Sequence, residues 1–168
     1  IRREADGTLT GEMFDGFGML DAIEATGTRI SGARLVLCGA GAAGGAIAIQ
    51  AIRRGAAELF ISDMDEARAA DLVHRLAPLS GTKLHCGMAE DVDIIINASP
   101  AGSPGEAMPA FTEALIRGAV CVADALTDPV ETELIRAARA AGRRVVTGTD
   151  MAAHQAVRMR VFLGLEAG

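Results

Sequence analysis

The chain has 168 residues, enough for one domain with a sizeable core, and 50% of them are apolar. Lys and Arg number 16 against 22 Asp and Glu, a net charge of −6, so no basic face advertises nucleic acid or an anionic membrane surface. No apolar run approaches the ~18 residues of a membrane span, no basic leader precedes an apolar stretch, and Cys38, Cys86 and Cys121 lack C-x-x-C spacing, which together predict buried free thiols in a cytoplasmic protein.

In chain order, Ile1 to Thr10 (IRREADGTLT) carries a turn signal at Asp6-Gly7 and no helical period. It reads as a frayed arm or a lead-in from a preceding segment, and an opening at Ile rather than Met predicts a piece of a longer protein. In GEMFDGFGMLDAIEATG a helix is expected from Phe17, with Met19, Leu20, Ala22 and Ile23 as its apolar stripe and Gly27 as its stop. Asp15 just before it suits an N-cap.

Arg34 to Ile49 (RLVLCGAGAAGGAIAI) reads as a buried strand, a glycine turn and the start of a helix that runs to Arg54 and stops at Gly55. In a G-x-G-x-x-G turn the first glycine, here Gly39, makes the bend. The second, Gly41, lets backbone approach a pyrophosphate, and the third, Gly44, lets helix pack on strand. A pyrophosphate would sit on the free N–H groups at the helix start. The next strand, Glu58 to Ser62, ends at Asp63, near the expected spacing of about 20 residues from the turn. A carboxylate there accepts from a ribose 2′-hydroxyl and repels a 2′-phosphate, which favours NAD over NADP. Asp63 or Asp65 would also start a helix from Asp65 to Leu76, ended before Pro78.

A weak strand at Lys83 to Cys86 is followed by Val92 to Asn97, an apolar run suited to a strand buried on both faces. It ends in the polar turn Asn97-Ala98-Ser99-Pro100-Ala101-Gly102, at the sheet edge where open α/β folds bind ligands. Pro104 to Pro109 reads as an exposed loop. Ala119 to Ala123 is a strand closing on Asp124, Pro129 to Ala141 a helix with proline in its first turn, Arg144 to Thr147 a sixth strand, and Asp150 to Leu163 a last helix. Alternating strands and helices predict an α/β fold, a doubly wound parallel Rossmann-type sheet of about six strands with helices on both faces. Residues 1–168 form a single dinucleotide-binding domain in this reading. His74, His85 and His154 have no metal-ligand spacing, so no metal is expected, and Lys83 reads as a solvated charge.

Several separated stretches together resemble one family, the shikimate/quinate dehydrogenases. GEMFDGFG is similar to the family's G-x-N-T-D-x-x-G, GAGAAGGAI to its cofactor turn and INASPAG to its I-N-x-[TS]-P-x-G. ADALTDPVETELIRAARAAG is similar to its D-x-x-Y-x-P-x-x-T motif, and GTDMAAHQAVRMRVFLG to its closing G-x-x-M-L-x-x-Q-A. The resemblance implies hydride transfer between a nicotinamide cofactor and a ring hydroxyl or ketone of shikimate, 3-dehydroshikimate or quinate. It also implies two domains, this chain matching the second together with flanking helices that would pack on an N-terminal substrate domain. The full-length form could be a homodimer.

Carried over residue by residue, Asp15 is the partner of a catalytic lysine that the family carries in the other domain. Gln155, Phe14 and Thr127 face the substrate. Gly39, Ala40, Gly41, Ala42, Ala43 and Gly44 cradle the pyrophosphate, and Asp63 and Met64 meet the adenosine ribose. Asn97, Ala98, Ser99, Pro100, Gly148 and Met151 line the nicotinamide end. Where NADP-using members carry N-R-T, this chain has Asp63-Met64-Asp65, which again implies NAD. The N-T pair before the aspartate is Met13-Phe14, and the tyrosine of D-x-x-Y is Thr127, so the substrate need not be shikimate. The alternatives are another two-domain dehydrogenase, such as a methylenetetrahydrofolate dehydrogenase, and a non-catalytic NAD(H)-binding regulatory module. The closing motif speaks against the former. Phe14, Phe17 and Phe162 are expected to expose apolar surface where the other domain would sit.

Overall fold

The computed structural model describes residues 1–79, 81–103, 105–106 and 111–165. The loop expected at Pro104 to Pro109 therefore lies largely outside the described residues. Residues 1–10 are not a frayed arm: Arg2–Arg3 (β1) and Leu9–Thr10 (β2) pair antiparallel, turned by Gly7 at φ 87°. Then follow α1 (Asp15–Ala25), β3 (Arg34–Cys38), α2 (Ala42–Arg53), β4 (Glu58–Ser62), α3 (Glu66–Leu76) and β5 (Lys83–Cys86). The second half holds β6 (Ile94–Asn97), α4 (Glu113–Gly118), β7 (Cys121–Asp124), α5 (Glu133–Ala140), β8 (Arg144–Val146) and α6 (Gly148–Phe162).

Six parallel strands run in the order β5-β4-β3-β6-β7-β8, and the order reverses direction between β3 and β6. The central strands bury both faces because their residues alternate between two cores. Leu35, Leu37, Ile94 and Ile96 pack with Met19, Leu20 and Ile23 of α1, Ile47 of α2, Leu72 of α3 and Met151 of α6. Val36, Ile95 and Val122 pack with Leu115 and Ile116 of α4 and Leu134 of α5. Burying a side chain of this size stabilises by about 1.5–3 kcal/mol, so the sheet centre anchors the fold. No helix joins β5 to β6, and Phe60 and His85 stack on the sheet face there at 4.4 Å.

Several expected boundaries move. α1 begins at Asp15 rather than Phe17, with Phe14 at the N-cap and no side-chain cap, so Asp15 occupies the first turn and is not a cap. α5 begins at Glu133, capped by Thr132, whose Oγ1 accepts from Ile135 N–H at 3.2 Å, and so Pro129 lies before the helix rather than in its first turn. α4 falls in a stretch that the sequence reading left unassigned; Thr112 caps it. α6 begins at Gly148, where Thr147 and Asp150 form a capping box. Cys86 is exposed, not buried, whereas Cys121 is buried and Cys38 half-buried. Phe14, Phe17 and Phe162 are half-buried: Phe14 packs edge-on to Phe162, Arg158 lies over Phe17 and Arg2 over Phe162. Near them Met13, Val157, Val161 and Leu165 are exposed apolar side chains as well. Among the described residues no helix is long and apolar enough to cross a membrane.

Candidate dinucleotide site

The three glycines of the turn do different physical work. Gly39 has φ 106°, a conformation that disfavours a side chain, and a Cβ on it would stand 2.6 Å from the Ala98 carbonyl oxygen. A Cβ on Gly44 would stand 1.9 Å from the Gly39 carbonyl oxygen, so α2 can cross the end of β3 only without one. A Cβ on Gly41 would meet nothing within 4 Å. That open side of Gly41 is where a ligand can come against backbone. Gly41 is also the N-cap of α2 and no side chain caps the helix, leaving its first-turn N–H groups and positive dipole end for an anion.

β4 pairs with β3 so that Cys38 stands opposite Ser62, which brings the following Asp63 beside the turn. Asp63 Oδ2 accepts from Ala40 N–H at 2.7 Å, and Oδ1 accepts from Asp65 N–H at 3.0 Å. Asp63 is thus no cap of α3; that part falls to Asp65, which accepts from Ala67 N–H. Each Asp63 oxygen keeps a lone pair for a further donor. Met64 beside it is 98% exposed. A cleft of about 850 Å³ reaches the turn from the α3 side, lined by Met13, Ala40, Gly41, Ala42, Arg68 and Leu72 among others.

Across β3 lies the turn after β6. Asn97 is 0% exposed, and its Oδ1 accepts from Ser99 N–H at 3.1 Å and Ser99 Oγ at 2.7 Å. Its Nδ2 donates to the Ala101 carbonyl at 3.0 Å and to Asp124 Oδ1 at 3.1 Å. Asn97 therefore shapes the Ala98–Ala101 turn from beneath, while Ser99 and exposed Pro100 form its upper side. Asp124 is 1% exposed; burial pushes its carboxyl up, against hydrogen bonds from Leu126, Thr132 and Asn97 that pull it down. Burial likewise raises the Cys38 thiol, opposed by its hydrogen bond to Ser99 and reinforced by the charges of Asp63 and Asp124.

α1 brings Asp15 to the same edge. Gly16 fits against the Ala46 carbonyl of α2, and Gly18 against the Met151 carbonyl and Gln155 of α6, where a Cβ would stand 2.1 Å and 2.7 Å from the nearest atoms. Asp15 is half-buried in the first turn of α1. Met151 is buried and Gln155 half-buried on α6; Gly148, also buried, seats the start of α6 against the Leu126 carbonyl. Thr127 is exposed on the turn after β7. Lys83 is exposed at the start of β5, the opposite edge of a parallel sheet. The residues singled out from the sequence thus gather along one edge. Asp124 and Thr132 were not singled out as site residues, although they are the first and last residues of the D-x-x-Y-x-P-x-x-T motif; Asp124 also ends a second apolar run, in register with Asn97. Among the described residues no group of three His, Cys, Asp or Glu could hold a metal ion.

This strand order, with a glycine turn at the switch point and an acid ending the neighbouring strand, defines a Rossmann-type domain. In sequence the chain is similar, over nearly its whole length, to shikimate/quinate dehydrogenases. No family model matches it. It is 34% identical over 172 residues to the quinate/shikimate dehydrogenase (NAD(+)) of Corynebacterium glutamicum strain R, covering 97% of this chain and 61% of that protein. It is 37% identical over 175 residues to the shikimate dehydrogenase (NADP(+)) of Rubrobacter xylanophilus, covering 97% of this chain and 60% of that one. Among solved structures, quinate dehydrogenase from Corynebacterium glutamicum in complex with NAD superposes with a TM-score of 0.83 at 32% identity, over 98% of this chain and 61% of that chain. The chain spans about 60% of the length of the curated relatives it matches.

Proposed function

We propose that this chain is the cofactor-binding domain of an NAD-dependent shikimate/quinate-type dehydrogenase. The observation that carries the reading is the Asp63 carboxylate held against the first bend of the glycine turn, at the place where a ribose 2′-hydroxyl would donate to it. Its relatives divide between NAD and NADP by name; two acids around an uncharged Met64 favour NAD, with Arg68 of α3 standing 3.6 Å from Asp65. In this reading Gly39 to Gly44 receive the pyrophosphate, Asn97 to Pro100 with Gly148 and Met151 border the nicotinamide end, and Gln155, Phe14 and Thr127 face the substrate.

A bound nicotinamide would donate hydride when reduced and accept it when oxidised. The chain's part is to orient it and to place Asp15 where a proton-carrying lysine of a substrate domain would meet it, so that the substrate oxygen gains or loses a proton as its carbon gains or loses hydride. Met13 and Phe14 replace hydrogen-bonding residues near that position, which favours a hydroxy acid less polar than shikimate on that side. Reducing conditions and a cytoplasmic location suit the three free cysteines; dimerisation of the full-length protein is part of the reading.

Calorimetric titration of the chain with NAD and with NADP, beside Asp63→Ala, tests it. NAD binding tighter than NADP, with that preference lost in the variant, is the expected result. Tighter NADP binding would overturn the cofactor assignment, and no binding of either would overturn the domain's role. Apolar Met13-Phe14 in place of a substrate-facing polar pair favours a second reading, an NAD(H)-binding regulatory module; absence of dehydrogenase activity in the full-length protein that still binds NAD would select it.

A further inference from the structure

Asp124 ends β7 at 1% exposure, and among the described residues its carboxylate has no arginine, lysine or histidine partner. A buried carboxylate without a cation costs stability, and hydrogen bonds are what offset it. Oδ1 accepts from Asn97 Nδ2 at 3.1 Å and from Leu126 N–H at 3.1 Å, while Oδ2 accepts from Thr132 Oγ1 at 2.8 Å. An ionised carboxylate can only accept. It therefore fixes which way the Asn97 amide points: Nδ2 toward Asp124, Oδ1 toward Ser99. Were the amide turned over, its oxygen would face two acceptors, Asp124 and the Ala101 carbonyl, and Ser99 would lose its acceptor.

The same oxygen holds the opposite wall. Leu126 N–H ties the 125–127 turn to Asp124, and the Leu126 carbonyl is the surface against which Gly148 seats α6, with 2.2 Å left for a Cβ. One carboxylate thus sets both the Ala98–Ala101 turn and the turn that carries Thr127. Both lie on the β6–β7 side of the switch point, whereas Asp63 and the cleft of α3 lie on the β4 side. A dinucleotide laid across the switch point with its adenosine ribose at Asp63 extends its other half over β6 and β7.

We infer that Asp124 is a positioning residue for the nicotinamide half of the cofactor, acting through Asn97 and Leu126 without touching the ligand. The inference rests on the cofactor reading above. Its test uses two probes on the same chain: NAD, which spans both halves, and ADP, which fills only the adenosine and pyrophosphate half. Asp124→Ala lowers NAD affinity about tenfold and leaves ADP affinity unchanged, because the hydrogen bonds lost lie under one half of the site. Asp124→Asn, which can keep an acceptor oxygen toward Asn97 and Leu126 and turn its amide to Thr132, restores NAD binding. A purely structural role would not move the ratio of the two affinities. Should Asp124→Ala fail to fold, Asp124→Ser, which leaves a hydroxyl for Thr132, carries the same comparison. Equal losses for NAD and ADP, no loss for NAD, or an Asn variant as weak as Ala would overturn the inference alone; a native chain that binds neither probe would overturn the cofactor reading and this inference with it.

Discussion

Asp63 Oδ2 accepts from Ala40 N–H at 2.7 Å, so the strand that ends in the acid also holds the first bend of the glycine turn. The acid has two tasks, fixing the turn and selecting the ribose, and they can be separated. Asp63→Asn keeps an oxygen for Ala40 and removes the negative charge, while Met64→Arg places a cation at a fully exposed position beside it. The double variant is expected to bind NADP more tightly than NAD, a reversal of about 1–3 kcal/mol in relative affinity. Unchanged preference in parallel calorimetric titrations would place the ribose elsewhere.

Gly44 and Gly41 make a matched pair for mutation. Gly44→Ala drives a Cβ to 1.9 Å from the Gly39 carbonyl, so β3 and α2 must separate, at a cost of about 1–3 kcal/mol or more. Gly41→Ala meets nothing within 4 Å and changes stability by less than about 1 kcal/mol, yet puts a methyl where a pyrophosphate would lie. Thermal melts should therefore fall for Gly44→Ala alone. NAD affinity should fall for Gly41→Ala at nearly native melting temperature.

Acid stability turns on Asp21. Burial works to raise its pKa, but hydrogen bonds and charge from Arg158 and Arg54, at 2.7 Å each, outweigh burial and hold it below its ordinary 3.8. A lowered folded pKa gives stability that is present above the unfolded value and is lost as pH falls through the folded one. Asp124 has the opposite sign: its raised pKa gives stability at low pH that is lost as pH rises through the folded value. Asp21→Asn is expected to lower stability by about 1 kcal/mol at pH 7 and to flatten the decline below about pH 4 in denaturant titrations. An unaltered acid limb would assign that decline to other carboxylates.

Val157 and Val161 stand one turn apart on α6, both exposed, with Leu165 beyond them. If this face packs on a substrate domain in the full-length protein, the isolated chain carries an apolar stripe open to water. Sedimentation velocity should show self-association rising with concentration, relieved by Val157→Glu with Val161→Glu. A monodisperse native chain at high concentration counts against it.

The sheet was legible because strands buried on both faces must be apolar at every position, as Ile94 to Ile96 are, and the glycine turn because three glycines at fixed spacing have few other uses. Termini were less legible. Pro129 fits a first helical turn by type, but Thr132, three positions on, carries the hydroxyl that caps α5, and side-chain geometry decided the start. Asp15 has the chemistry of a cap without its hydrogen bond, since α1 already includes it. A helix as short as α4 offers too little periodicity to read. Asp124 heads a legible motif, but its task was not legible: its partner Asn97 is 27 positions away along the chain and adjacent only once β6 and β7 pair.

Arg2 Nη1 donates to the Phe162 carbonyl at 2.7 Å across 160 positions of sequence, and its guanidinium lies over the Phe162 ring. It is a single partly exposed hydrogen bond with one ring contact, and the hairpin it holds pairs with no strand of the main sheet. The hairpin and the last turn of α6 are therefore expected to open together and more readily than the sheet. Amide protons of both are expected to exchange with solvent together while those of β3 and β6 stay protected, and because Phe162 packs edge-on to Phe14 the opening reaches the Asp15 end of the ligand edge.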